Sequence, residues 1–297
     1  MAKDSKIEWT HHTFNPWWGC TKVSEACTYC YAESWAKRLG SDIWGTRNQR
    51  RLFGETHWRQ PITWNHEAEK EGKRKRVFCA SMADVFENRP ELVEPRTRLW
   101  AMIESTPWLD WLILTKRPEL IERFVPWTAE WPENVWLGTT VESQEWANKR
   151  IPILLSFAAR VRFISCEPLL SPIDISLWLP NFVKENKKAK RPKAQFYIDW
   201  VIAGGESGPH ARPMNPIWVR QLKDQCVIAG VPFHFKQWGN WKPIPNGVKS
   251  KQVKRQLKDT EGNIITLINL GKKLAGRELN GKTWDELPTT INSNKIE

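Results

Sequence analysis

Three cysteines stand within eleven residues near the start of this chain, in Cys20-Thr-Lys-Val-Ser-Glu-Ala-Cys27-Thr-Tyr-Cys30-Tyr31-Ala32-Glu33, and the start of a helix follows them directly. They are half of its six cysteines. Three thiolates from one loop can hold three corners of a cubane cluster and leave the fourth metal open to a cofactor or substrate. A closed zinc site needs a fourth ligand, and His11 or His12 is near enough in sequence to supply one. Cys27-x-x-Cys30 alone serves zinc, redox and cluster sites alike. The third cysteine and the aromatic after the last one favour an iron-sulfur cluster on Cys20, Cys27 and Cys30, ahead of zinc and of free thiols.

No apolar run approaches the ~20 residues that cross a bilayer. The opening Met-Ala-Lys-Asp-Ser-Lys has no apolar stretch of the signal-peptide kind. The chain therefore reads as a cytoplasmic protein with no membrane partner, in which cysteines are thiols or metal ligands and not a disulfide framework. Cys79, Cys166 and Cys226 sit in apolar surroundings and read as core fillers. With 45 Lys and Arg against 33 Asp and Glu, the net charge is +12, which favours a polyanionic partner such as DNA or RNA. Twenty tryptophans could add stacking faces for unpaired bases, although most are expected to pack in the core.

Along the chain, Lys6 to Thr10 reads as a short first strand and Asn15-Pro16-Trp17-Trp18-Gly19 as a turn into the cysteine loop. Tyr29 to Leu39 has helical spacing and stops at Gly40. Ser41 to Arg76 is polar and reads as irregular, with Lys73-Arg-Lys-Arg76 as a solvated turn. Short apolar runs then recur at Val77–Ala80, Trp111–Thr115, Val135–Thr139, Val161–Ser165, Trp200–Ala203 and Pro232–Phe235. Amphipathic segments lie between them, at Pro90–Ser105, Pro118–Val125, Gln144–Phe157 and Pro216–Ala229. This is the rhythm of βαβ units, and it predicts an α/β fold over residues 1–238: a parallel (βα) barrel or part-barrel of six to seven strands. Lys184 to Lys193 reads as a basic mobile insert, and residues 239–297 as an irregular basic appendage packing on the barrel.

Each apolar run hands over at its C-terminal end to reactive groups. These are Ser81, Met82 and Asp84; Lys116 and Arg117; Thr139, Thr140 and Glu142; Glu167; Gly204, Gly205, Glu206 and Ser207; and Lys236 and Gln237. In a parallel barrel those ends converge on one mouth, where active sites sit. Ile202-Ala-Gly-Gly-Glu-Ser-Gly208 offers small residues for close approach of a ligand and a carboxylate for an amine or a ribose hydroxyl. Leu114-Thr-Lys-Arg-Pro118 offers two cations before a helix, suited to phosphate or carboxylate, or to an ion pair with Glu142 or Glu167.

The motifs also come in a particular order. Ile7-Glu-Trp-Thr10, Asn15-Pro16, Gly19-Cys20, Cys27-x-x-Cys30-Tyr31-Ala32-Glu33, Phe78-x-x-Ser81-Met82-x-Asp84-x-Phe86 and Leu114-Thr-Lys-Arg-Pro118 are followed by Leu137-Gly-x-Thr-Val-Glu142, Ser165-x-Glu167-Pro168-Leu169-Leu170, Gly204-Gly-Glu-Ser-Gly208 and Phe235-Lys-Gln-Trp-Gly239. Over about nine tenths of its length the chain resembles the phage-associated three-Cys-motif proteins, a group similar to radical SAM enzymes. The resemblance implies a partial (βα) barrel with a 4Fe-4S cluster on Cys20, Cys27 and Cys30, S-adenosylmethionine on the open iron, and a reductant protein as partner. The loop departs from the usual C-x3-C-x2-C of radical SAM enzymes, being C-x6-C-x2-C, and its Gly-Gly-Glu follows the sixth strand where theirs follows the second.

On this reading Asp84, Glu142, Gly204, Gly205 and Glu206 bind the cofactor, and Lys116, Glu167 and Lys236 are catalytic. Three functions stay open at this point. The first is a radical enzyme forming a 5′-deoxyadenosyl radical to modify a substrate, with nucleic acid a candidate. The second is a nucleic-acid-binding module with a structural metal and no radical chemistry. The third is a cluster-free hydrolase using Glu167, Glu206 and Asp84.

Overall fold

The computed structural model describes residues 3–128, 130–180, 196–245, 251–258 and 262–289. The recurring apolar runs become parallel strands, joined by a first strand the periodicity did not place: β1 (His12–Thr13), β2 (Lys75–Cys79), β3 (Leu109–Thr115), β4 (Val135–Thr140), β5 (Val161–Cys166), β6 (Trp200–Gly204) and β7 (Phe233–Gln237). All seven pair in chain order, each parallel to the next, and curl into a half-barrel of the α/β class. Parallel neighbours require crossovers, and helices supply most of them. The longer ones are α1 (Tyr31–Arg38), α2 (Gln60–Glu71), α3 (Val93–Glu104), α4 (Gln144–Leu154) and α5 (Pro216–Ala229).

Both faces of the sheet are buried, which is why its strands read as unbroken apolar runs. Val77, Trp111, Ile113, Leu137, Ile164, Val201 and Phe235 point outward into the core shared with the helices. Phe78, Leu112, Trp136, Phe163, Trp200 and Ile202 fill the concave face. Gly138 belongs there because a Cβ at that position would lie 2.4 Å from the Phe163 ring.

Three expectations need correction. Lys6 to Thr10 form no strand: the Thr10 amide turns back to the Ile7 carbonyl. Trp9 packs instead on Phe78 (4.6 Å between ring centroids) and Trp200, inside the half-barrel. Ser41 to Arg76 are not irregular throughout. Helix α2 lies there, burying Pro61, Trp64, Asn65 and Ala68 and ending at Gly72 with φ +64°. Its apolar stripe is too thin to stand out against the charged residues around it. Lys73 to Arg76 are no solvated turn but lead into β2: Arg74 pairs with Asp110 at 2.6 Å and Arg76 donates to the Trp9 carbonyl. That places them at the N-terminal end of the sheet, away from the mouth.

The segment after the barrel carries a three-stranded antiparallel sheet of Trp241–Ile244, Lys254–Lys258 and Ile264–Asn269, with the last strand in the centre. The chain then returns to the half-barrel. Ala275 and Leu279 are buried in the main core, and the Trp200 indole donates to the Glu286 carbonyl. The basic run from Lys184 to Lys193 lies outside the described residues. Among the described residues no helix is long and apolar enough to cross a membrane.

Candidate functional site

Because the strands are parallel, their C-terminal ends open on one side of the sheet. A cavity of about 430 Å³ there is lined by Asp84, Lys116, Arg117, Thr140, Glu167, Gly205, Glu206, Lys236 and Gln237, and by Cys20, Cys27 and Cys30. All three cysteines thus share one space with the ends of strands β2 to β7.

The cysteine loop is held from both sides. Asn15, fully buried, accepts from the Met82 amide at 2.6 Å and donates to the Ser81 hydroxyl, tying the start of the loop to the end of β2. Gly19 has φ +111° and donates to the Met82 carbonyl; a Cβ there would lie 2.3 Å from the Ile43 carbonyl oxygen. Only glycine suits that combination. Beyond it, the buried Arg50 grips both carboxylate oxygens of Glu87 and donates to the Ile43 and Gly45 carbonyls and the Thr21 hydroxyl. The Gly45 amide in turn donates to the Cys20 carbonyl. Cys27 closes a single 3-10 turn and Cys30 is the N-cap of α1.

Among the described residues, no three His, Cys, Asp or Glu side chains stand together as a metal site. The donor set nevertheless fits a three-cysteine group. Burial pushes the Cys20 thiol up to about 12, against the pull of Arg117, and also raises Cys30. Thiols so desolvated become thiolates when a cation compensates their charge. One compensating donor is built in, since Arg117 Nη1 lies 3.6 Å from Cys20 Sγ. Neither histidine lines the cavity: His11 accepts from the Arg76 amide, and His12 stacks on Trp64 at 4.5 Å. The fourth zinc ligand sought in them is therefore not at the site.

The charges of the mouth are mostly paired. Asp84 accepts from the Thr115 hydroxyl, the Lys116 and Phe86 amides and Arg117 Nη1. Burial opposes its charge, but Arg117 and these donors hold its carboxyl below the ordinary value. Glu167 binds Lys236 at 2.8 Å and the Gln237 amide at 3.1 Å. Glu206, buried, is clamped by the Arg212 guanidinium on both oxygens and by the Arg212 amide. Lys116 differs. Its ammonium donates to the Thr140 hydroxyl at 3.2 Å and has no carboxylate partner among the described residues.

Two residues assigned from sequence to cofactor binding stand elsewhere. Glu142 is fully buried against Arg150 at 2.8 Å, and neither it nor Gly204 lines the cavity. The space at Gly205 is filled from within, because a Cβ there would meet the Trp238 carbonyl oxygen at 2.1 Å. Sequence reasoning missed Arg50, Thr21 and Arg212. Arg50 carried no signal, its partner being 37 residues away, whereas Arg212 lies only six residues beyond Glu206.

The model of the family described as Protein of unknown function (DUF5131) matches residues 4–288. No curated protein matches the chain. Among solved structures, a variant of spore photoproduct lyase aligns with a TM-score of 0.45 at 10% identity, covering 90% of this chain and 70% of that one. A second variant aligns at 0.43 and 11%, and a third, with bound AdoMet and dinucleoside spore photoproduct, at 0.41 and 11%. Superpositions this loose carry no argument about the chemistry of this chain.

Proposed function

The chain belongs to the DUF5131 family of proteins of unknown function, and from that premise we propose that it is an iron-sulfur enzyme of the radical SAM type. One observation carries the reading: a single loop brings Cys20, Cys27 and Cys30 to the cavity on which the charged strand ends converge. These three residues would hold a 4Fe-4S cluster. With S-adenosylmethionine and an electron from a reductant protein, that group supplies reductive cleavage to a 5′-deoxyadenosyl radical able to take hydrogen from a substrate.

The chain's own residues prepare the site. Arg117 places positive charge beside the Cys20 sulfur, and Asp84 holds Arg117 there. Lys116, free of a carboxylate partner among the described residues, offers its ammonium to an anionic group such as a carboxylate or phosphate. Glu167 and Lys236 face the same cavity as a proton-holding pair. Glu206 acts through Arg212, which it keeps turned toward the cysteine loop and the Glu25 carbonyl.

Anaerobic reconstitution tests this. The expected product is brown, with about four irons and four sulfides per chain, and Cys27→Ala bleaches it. Dithionite and S-adenosylmethionine should then release 5′-deoxyadenosine. Stoichiometric zinc without iron would overturn the reading.

A further inference from the structure

Of twenty tryptophans, three tyrosines and eleven phenylalanines, only Tyr29, Tyr31 and Trp35 are exposed among the described residues, at 39%, 54% and 41%. All three line one groove of about 590 Å³. Exposed aromatics gathered in one place mark a contact surface, whereas scattered ones do not. The rings are pre-positioned. The Tyr31 hydroxyl donates to the Ser81 carbonyl at 2.8 Å, and Trp35 stands edge-on to Trp18 at 5.2 Å. Tyr29 is flanked by His210 and by the Arg212 guanidinium, 5.3 Å from its ring.

The groove is also cationic. Lys22, Lys37 and Arg38 line it against one carboxylate, Glu33, which both lysines share at 2.9 and 2.8 Å. Arg38 has no carboxylate partner among the described residues. Flat exposed rings interleaved with cations form the surface that takes a phosphate backbone with unpaired bases, since paired bases have no free faces to stack. Finally, the groove runs into the mouth: Tyr29, Cys30, Tyr31 and Ser81 line both cavities.

Resting on the radical-enzyme reading of the mouth, we propose that the substrate is single-stranded nucleic acid. It lies along this groove with bases stacked on Tyr29 and Trp35, and one nucleotide is turned past Tyr31 into the mouth. Lys22 and Arg38 contact its phosphates.

The test is fluorescence anisotropy of the full chain with fluorescein-labelled 15-mers of single-stranded DNA, single-stranded RNA and duplex DNA. It is run with the protein before and after iron reconstitution. Single strands should bind at least tenfold more tightly than duplex, and the DNA and RNA arms report which sugar is preferred. Tyr29→Ala and Trp35→Ala should each weaken single-strand binding roughly tenfold. Lys22→Ala and Arg38→Ala should each lower the salt slope by about one. Lys73→Ala, at the far end of the sheet, should change neither. Circular dichroism checks that the variants are folded, and these side chains are exposed enough to be replaced without loss of the core. Equal affinity for duplex, or aromatic variants within twofold of the parent, would overturn the proposal. An iron-loaded protein that ignores single strands sinks the groove alone, while a strand-binding protein that takes up no iron sinks the cluster alone.

Discussion

His234 shows how much one buried side chain can weigh. It is 1% exposed on the concave face, edge-on to Trp200, and neither ring nitrogen has a hydrogen-bond partner among the described residues. Burial, with Arg277 beside it, pushes its imidazole down to about 4, despite the nearby carboxylate of Asp285. The folded value lies below the unfolded one near 6.5, so between about pH 4 and 6.5 the unfolded chain binds more protons. Stability therefore rises with pH across that window, by up to about 1.4 kcal/mol per pH unit from this residue, and levels off above it. His234→Phe keeps a ring in place and should remove one proton's worth of slope in urea unfolding between pH 4.5 and 6.5. An unchanged slope would show that His234 does not titrate in this way. At this scale the cysteines were legible in the sequence by their spacing, and Asp84, Lys116, Glu167 and Lys236 because each stands at or just past the end of an apolar run. The pairings that hold them were not, since Arg50 meets Glu87 and Arg117 meets Cys20 only across long stretches of chain.

Among elements, the cysteine loop depends on a single backbone conformation at its entry. Gly19 sits at φ +111°, with the Ile43 carbonyl where a Cβ would be. A side chain there adds about 1 to 3 kcal/mol of backbone strain, plus a clash that must part Ile43 from the loop. Gly19→Ala should lower the thermal midpoint and sharply reduce iron uptake although all three cysteines remain. Parent-like iron content and midpoint would mean that the loop is set elsewhere. Helices were legible in proportion to their apolar stripes. Helix α5 spans Pro216–Ala229 as its periodicity predicts, with Pro216 in the first turn and the Asn215 side chain accepting from the Ile217 amide. Helix α2 escaped because Trp64 and Ala68 are the only non-proline apolar residues it buries.

In the whole molecule, folding and binding separate by position along the strands. Ile202 lies mid-strand and is fully buried on the concave face, so Ile202→Ala should cost about 2 to 5 kcal/mol in urea unfolding. Lys116 lies just past a strand end and among the described residues its ammonium hydrogen-bonds only to Thr140, so Lys116→Ala should change stability by no more than about 0.5 kcal/mol. It should nevertheless weaken S-adenosylmethionine binding to the reconstituted protein, followed by calorimetry. A Lys116→Ala protein as unstable as Ile202→Ala would make the lysine structural. The repeating runs and intervening helical segments follow from local rules of backbone pairing and periodic burial, and so the parallel part-barrel and the cysteine loop were determined by the sequence alone. The tertiary structure decided what depends on residues far apart in the chain. Trp9 plugs the concave face against Trp200 instead of extending the sheet, Arg50 grips Glu87, Arg117 stands beside Cys20, and Ser207 and His210 close one groove with Tyr29 and Trp35, because long-range packing and charge pairing choose among neighbours that local spacing cannot specify.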